Sequence, residues 1–418
     1  MGGARPGMEG CSMSTPTGAI ALRPPRRAGW AIRWPRPSWG GLLRGAGRVL
    51  LGVIVAILIA VAFSAVARVQ TRTLPAVTGT ASVGRVELAL RDSGRIDPFA
   101  SDGRTRELAV WIWYPAIKGA SVATASYLPP AWANSLNDGL VSQDLNAIRT
   151  NSYENAHLQG SPPVVVLMPG LGQPVARYSA LAEDLASHGY AVVGVNPTES
   201  IPVFFPDGHQ VPATASGEVD ENLATNVPGW YVAAARVTKV WAADAAFVAG
   251  ALAKSPPAIG ALNFSHVAYI GHSLGGAASF EACRQDPHCA AAVDLDGTLW
   301  TDVRHVGLTA PSLLVQHADT GACDAFCQPA RTDFATVKAA GNDRQFVIAG
   351  STHMNFSDVG LMYGPVYHAL GVLGSIDADR MTAITRNLVR TFLDEHILGV
   401  PAGAFPATIA RYSELHEQ

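Results

Sequence analysis

Charge is scarce in this 418-residue chain: Asp, Glu, Lys and Arg make up 15% of it, against roughly a quarter in ordinary soluble domains. With 48% of the residues apolar, a chain disordered throughout is excluded, since disorder requires too little apolar surface to bury. Cysteine is sparse at 5 residues in 43.8 kDa, which rules out a small disulfide-stapled scaffold. No internal repeat is visible. Basic residues are also lacking where a nucleic acid would need them. Residues 1–48 hold 8 Arg and 1 Glu, while the rest of the chain carries 22 basic against 32 acidic residues. An acidic body offers no cluster of Lys and Arg to displace phosphate counterions, so nucleic acid is set aside as a partner. No obligate protein partner is evident. What remains is one large α/β domain or two ordinary ones.

Residues 1–48 are rich in Arg, Pro and Gly and read as a disordered basic tail; Met8 and Met13 are alternative starts. Residues 49–67 form an apolar run without a charge, bounded by Arg44 and Arg48 before it and Arg68 and Arg72 after it. As a helix it would reach about 28 Å, close to the thickness of a bilayer core. It is expected to span a membrane or to be an export signal. The heavier positive charge on its N-terminal side places the rest of the chain across the membrane. Ala65-Val66-Ala67 offers a small-x-small cleavage site, so anchored and secreted forms both stand. A linker over 68–80, a catalytic domain over 81–400 and a tail over 401–418 follow. Export suits disulfides: spacing favours Cys283 with Cys289 and Cys323 with Cys327, and neither pair has the Cys-x-x-Cys knuckle of a zinc site. No metal or organic cofactor is expected.

Within the exported part, 85–91 and 107–114 read as an opening hairpin. Pro163–Met168 is a short β-branched run that ends at Pro169-Gly170-Leu171-Gly172. A helical stretch at 176–188 and a strand at 190–195 complete a βαβ unit. Residues 197–228 read as a long connection. The alternation then resumes with helices near 230–254, 274–284, 328–340 and 378–395, and strands at 266–270, 290–295, 312–316 and 345–349. Mostly parallel strands flanked by helices are the expected architecture.

Gly271-His272-Ser273-Leu274-Gly275-Gly276 fits the Gly-x-Ser-x-Gly nucleophile elbow, in which a serine sits on a sharp turn between a strand and a helix. The five letters alone are weak evidence, but here they follow a strand and open an Ala-rich helix. Gly271 and Gly275 would let backbone approach backbone, with His272 between strand and serine. Serine is a poor nucleophile at neutral pH and needs an imidazole base oriented by a carboxylate. His353, just beyond the strand at 345–349, lies where a base could reach Ser273. For the acid, Asp296 and Asp319 compete, each following a strand end, and spacing does not choose between them. Asp294 is expected on the same strand face as Asp296, one pleat deeper. The oxyanion would be held by two backbone N–H groups, for which Leu274 and Leu171 are the candidates.

These residues resemble a known family. Pro169-Gly170-Leu171-Gly172, Leu185-Ala186-Ser187-His188-Gly189-Tyr190, the elbow, Val293-Asp294-Leu295-Asp296, and the stretch from Gly350-Ser351-Thr352-His353 through Met354-Asn355-Phe356-Ser357-Asp358 look like the plasma-type platelet-activating factor acetylhydrolases. The resemblance runs over roughly residues 82–360 and includes Trp113-Tyr114-Pro115. It implies an α/β-hydrolase fold and a serine esterase acting through Ser273, Asp296 and His353, with Leu171 and Leu274 as oxyanion donors. It resolves the acid in favour of Asp296 and suggests phospholipids with short or oxidised sn-2 acyl chains as substrates. Lipase-, cutinase- or polyester-type hydrolysis and acyl transfer with the same three residues are the alternatives. One departure stands out: the family usually has His-Gly-Leu-Gly where this chain has Pro169-Gly170-Leu171-Gly172.

Overall fold

The computed structural model describes residues 48–55, 58–59, 61–62, 66, 70–117, 123–136, 144–220, 226–318, 335, 337 and 343–418. The chain divides into residues 1–58 and 59–418. In the first unit, the described residues 48–55 are helical and exposed. No helix among the described residues is long and apolar enough to cross a membrane. Of the run expected to do so, residues 56, 57, 60, 63–65 and 67 lie outside the described set.

The body is built on one mixed, mostly parallel sheet. Its principal strands are β1 (Ser82–Ile96), β2 (Thr105–Ile117), β3 (Pro163–Met168), β4 (Ala191–Val195), β5 (Asn263–His272), β6 (Cys289–Leu295), β7 (Ser312–His317) and β8 (Asp343–Ile348). They lie in the order β1-β2-β4-β3-β5-β6-β7-β8. β1 and β2 form an antiparallel hairpin, β2 meets β4 antiparallel, and every junction from β4 to β8 is parallel. The expected hairpin and parallel strands are therefore present, with the hairpin strands longer than the alternation had suggested.

Parallel strands joined by crossover helices are covered on both faces, so their sequences read as continuous apolar runs. In β3, Val165 and Leu167 enter one core while Val164, Val166 and Met168 enter the other. The first core is closed by α1 (Ser179–Ser187) and α4 (Ala378–Ile397), the second by α2 (Val227–Lys254) and α3 (Leu274–Gln285). Asn226 caps α2 by accepting from Gly229 N, and Asp377 caps α4 by accepting from Arg380 N; each side chain satisfies an N–H that the helix ladder leaves over. This three-layer arrangement is the α/β-hydrolase architecture that the sequence implied.

Three segments differ from the expectation. Ile148–Glu154 forms a strand parallel to β1, although its polar sequence carries little apolar signal. The connection after β4 is buried over 197–201 and folds into a small hairpin, Val203–Phe204 with Gln210–Val211. Residues 401–418, expected as a tail, hold the helix Ala404–Ile409 and the strand Leu415–Glu417, which extends the sheet antiparallel beyond β8. The helix expected near 328–340, Asp319, Cys323 and Cys327 fall outside the described residues, apart from 335 and 337, which are helical.

Candidate active site

β5 ends at His272 and α3 begins at Leu274, leaving Ser273 alone at the turn with φ 57° and ψ −126°. A non-glycine residue in so sparsely populated a region costs on the order of 1–3 kcal/mol in the isolated backbone, so the surroundings must impose it. They do so through contacts that only glycine permits. A Cβ on Gly271 would collide with the carbonyl of Gly275, one on Gly275 with the carbonyl of Pro169, and one on Gly276 with the carboxylate of Asp294. The strand, the helix N-terminus and the Pro169 turn are thereby pressed together, and Ser273 N–H donates to Leu295 O at 2.9 Å.

The loop after β8 brings His353 onto this turn. Gly350 turns the chain at φ 75°, and Asn355 Oδ1 then holds the loop by accepting from Thr352 N at 2.8 Å, Thr352 Oγ1 at 2.9 Å and Gly374 N at 2.9 Å. His353 Nε2 lies 2.9 Å from Ser273 Oγ, and its Nδ1 lies 2.6 Å from Asp296 Oδ2. The His353 side chain is 45% exposed while that of Asp296 is 4% exposed, so the imidazole can meet a ligand and the carboxylate cannot.

Asp296 also has a positive φ, 62°, which turns its carboxylate off the end of β6 towards β7. There it accepts from His317 N at 2.9 Å and lies 2.8 Å from His317 Nδ1. Burial alone would raise its pKa, but hydrogen bonds from His317 and His353 overcome that and hold it well below the usual carboxylate range. Asp296 is therefore a charged acceptor flanked by two imidazoles. Ser273, His353 and Asp296 are brought together; Asp294 lies apart from them, beneath α3, with Oδ1 accepting from Gly297 N at 2.8 Å.

Leu274 N–H is the first of α3, a donor with no acceptor in the helix's own ladder and at its positive end. Leu171 lies in the turn that Gln173 N–H closes by donating to Gly170 O at 3.1 Å. His272 is buried next to the site. The ligand atoms of His272, Asp296 and His353 approach within 4.8 Å of one another, a separation at which three such side chains could hold a metal ion. Each ring nitrogen is nevertheless engaged: those of His353 with Ser273 and Asp296, those of His272 with Tyr178 and the His353 carbonyl. The arrangement suits proton transfer and not a shared ligand set.

Sequence reasoning did not single out His317, Tyr178 or Asn355. Asn355 stood in the quoted Gly-Ser-x-His-x-Asn-Phe stretch, while the pairing of β6 with β7 is what brings His317 to Asp296, and no local signal gives it. Comparison with known proteins points in one direction. Residues 258–400 match the model of the family described as platelet-activating factor acetylhydrolase, isoform II. A probable 1-alkyl-2-acetylglycerophosphocholine esterase from Arthroderma benhamiae is 27% identical over 161 residues, covering 38% of this chain and 37% of that protein. The match thus spans just over a third of that relative's length. A ferulic acid esterase from Streptomyces cinnamoneus, known as a solved structure, superposes with a TM-score of 0.70 at 29% identity, over 83% of this chain and 99% of that one. The resemblance to platelet-activating factor acetylhydrolases read from the motifs is borne out by the first two.

Proposed function

We propose that this protein is a serine-dependent carboxylic ester hydrolase that works through an acyl-enzyme. The observation that carries the reading is the unbroken line from Ser273 Oγ through His353 to Asp296 Oδ2, with contacts of 2.9 and 2.6 Å. In the first half-reaction Ser273 Oγ attacks the ester carbonyl carbon as its proton passes to His353 Nε2. Leu171 and Leu274 N–H hold the oxyanion, and the alcohol leaves with the proton from His353. In the second half-reaction His353 takes a proton from water, the hydroxide attacks the acyl carbon, and Ser273 regains its proton as the carboxylic acid departs. Asp296 keeps the Nδ1–H tautomer of His353 and offsets the charge of the imidazolium.

The substrate class we propose is a phospholipid with a short or oxidised sn-2 acyl chain, supported by the family match and the fungal relative. Small aromatic esters are the second reading, favoured by the near-complete overlap with the ferulic acid esterase. A fluorophosphonate probe should label the wild type and not Ser273→Ala; labelling of both, or of neither, sinks the esterase reading. Release assays on sn-2 acetyl phospholipid and on methyl ferulate then decide between the substrates.

We also propose that residues 49–67 carry the body across a membrane, as an anchor or as a signal cut near Ala67. The uncharged run between arginines supports this, and so does the bond between Cys283 and Cys289, which suits an oxidising compartment. Fractionation of cells making the full chain, with sequencing of its mature N-terminus, tests the idea. A body recovered from the cytosol with its N-terminus intact overturns it.

A further inference from the structure

We propose that Tyr178 and His272 are positioning residues, forming a buried line of hydrogen bonds that ties the oxyanion-holding turn to the backbone of His353. The inference rests on the esterase reading and deepens it. Gly170 N–H donates to Tyr178 Oη at 2.9 Å; Tyr178 Oη lies 2.7 Å from His272 Nδ1; His272 Nε2 lies 3.0 Å from His353 O. Chemistry fixes the direction of every bond. A carbonyl only accepts, so His272 Nε2 carries the ring proton and Nδ1 is left as an acceptor. The Tyr178 hydroxyl, already accepting from Gly170, must donate to it.

Nothing in this line ionises readily. Burial, then the neighbouring His353, lowers the pKa of His272 to about 3, and burial raises that of Tyr178 well above its ordinary value. The His272 ring also packs on that of His353 with centroids 4.6 Å apart. Close approach is built in at the other end, because a Cβ on Gly170 would lie 2.9 Å from His272 Nδ1. One imidazole thus sets the height of both the turn bearing Leu171 N–H and the loop bearing the base. The placement of such donors matters, since a misplacement of about 1 Å can cost roughly 100-fold in rate.

Tyr178→Phe keeps the ring and removes the hydroxyl. With a p-nitrophenyl ester, kcat should fall about 10- to 100-fold while KM stays within about 3-fold. A trifluoromethyl ketone, whose hemiketal oxyanion occupies the same place as that of the ester, should bind weaker by a similar factor. A folded Tyr178→Phe with wild-type kcat and ketone affinity overturns the proposal, even if its melting temperature drops. The His272 variants provide a second test. His272→Asn keeps an acceptor for Tyr178 and loses the bond to His353 O, whereas His272→Gln does the reverse. The Asn variant should retain more ketone affinity than the Gln variant; equal affinities overturn the line as a coupling. A wild type that neither hydrolyses esters nor binds the ketone sinks the esterase reading and this inference together. An active wild type with an unaffected Tyr178→Phe sinks this inference alone.

Discussion

The end of β6 carries two carboxylates, Asp294 and Asp296, separated only by Leu295, and the structure treats them oppositely. Asp294 is pushed well above the ordinary carboxylate range because burial is answered by a single N–H, from Gly297. Its Oδ2 has no partner among the described residues. Asp296 is about as deeply buried, yet it is held far below that range by His317 and His353. Burial therefore does not separate them; the donors do. A hydrogen bond to a charged group contributes roughly 1.5–3 kcal/mol, so donors from two histidines outweigh a desolvation that one amide does not. Asp294, against which Gly276 and Gly297 of the elbow region pack, is the carboxyl that holds its proton more tightly than usual, and Asp296 at the rim is the one that holds it less tightly.

The largest way to break this contrast is Asp296→Asn, which preserves shape but presents the wrong hydrogen-bonding group to His353 Nδ1. It should lower kcat by about 10⁴-fold, as measured by ester release at neutral pH; a loss under tenfold would mean that the carboxylate does not orient the base. Asp294→Asn should be far milder, within about 5-fold in kcat, because an amide oxygen can still accept from Gly297 N–H.

The contrast sharpens with pH, since the two acids contribute to stability with opposite signs. Asp294 keeps its proton in the fold and loses it in the unfolded chain near the ordinary carboxylate value. Its stabilising share is therefore complete below about pH 3.8 and is lost as pH rises towards its native pKa. Asp296 contributes above that value and loses its share as pH falls. Urea unfolding of Asp294→Asn and wild type should show the variant gaining on the wild type as pH rises from 5 upward. A difference that stays flat with pH would mean that Asp294 is ionised in the fold.

The elbow and the proposed base were legible because each is local. A glycine-flanked serine between a strand and a helix and a histidine just beyond a strand need only short-range patterns, whereas Asp296 and Asp319 both follow strand ends, and only the family resemblance chose between them. Asp294 and Asp296 also show where that reading ran short. Residues two apart were expected on one face of β6, but the positive φ of Asp296 turns its carboxylate towards β7 while Asp294 stays under α3. The strand Ile148–Glu154 was missed for a related reason, since its partners, and not its apolar content, make it a strand. The composition of residues 401–418 suggests only a tail, because the β8 edge that Leu415–Glu417 covers lies far away in the chain.

The sequence by itself determined the alternation of strands and helices, the glycine-flanked serine turn and the histidine beyond β8, because glycine spacing and apolar periodicity act over a few residues. The tertiary structure alone decided which carboxylate is charged, which histidine faces solvent and which is sealed between Tyr178 and the His353 carbonyl. Those outcomes depend on hydrogen bonds between residues from 21 to 94 positions apart, and only folding brings such donors and acceptors within reach while excluding the water that would otherwise level the difference.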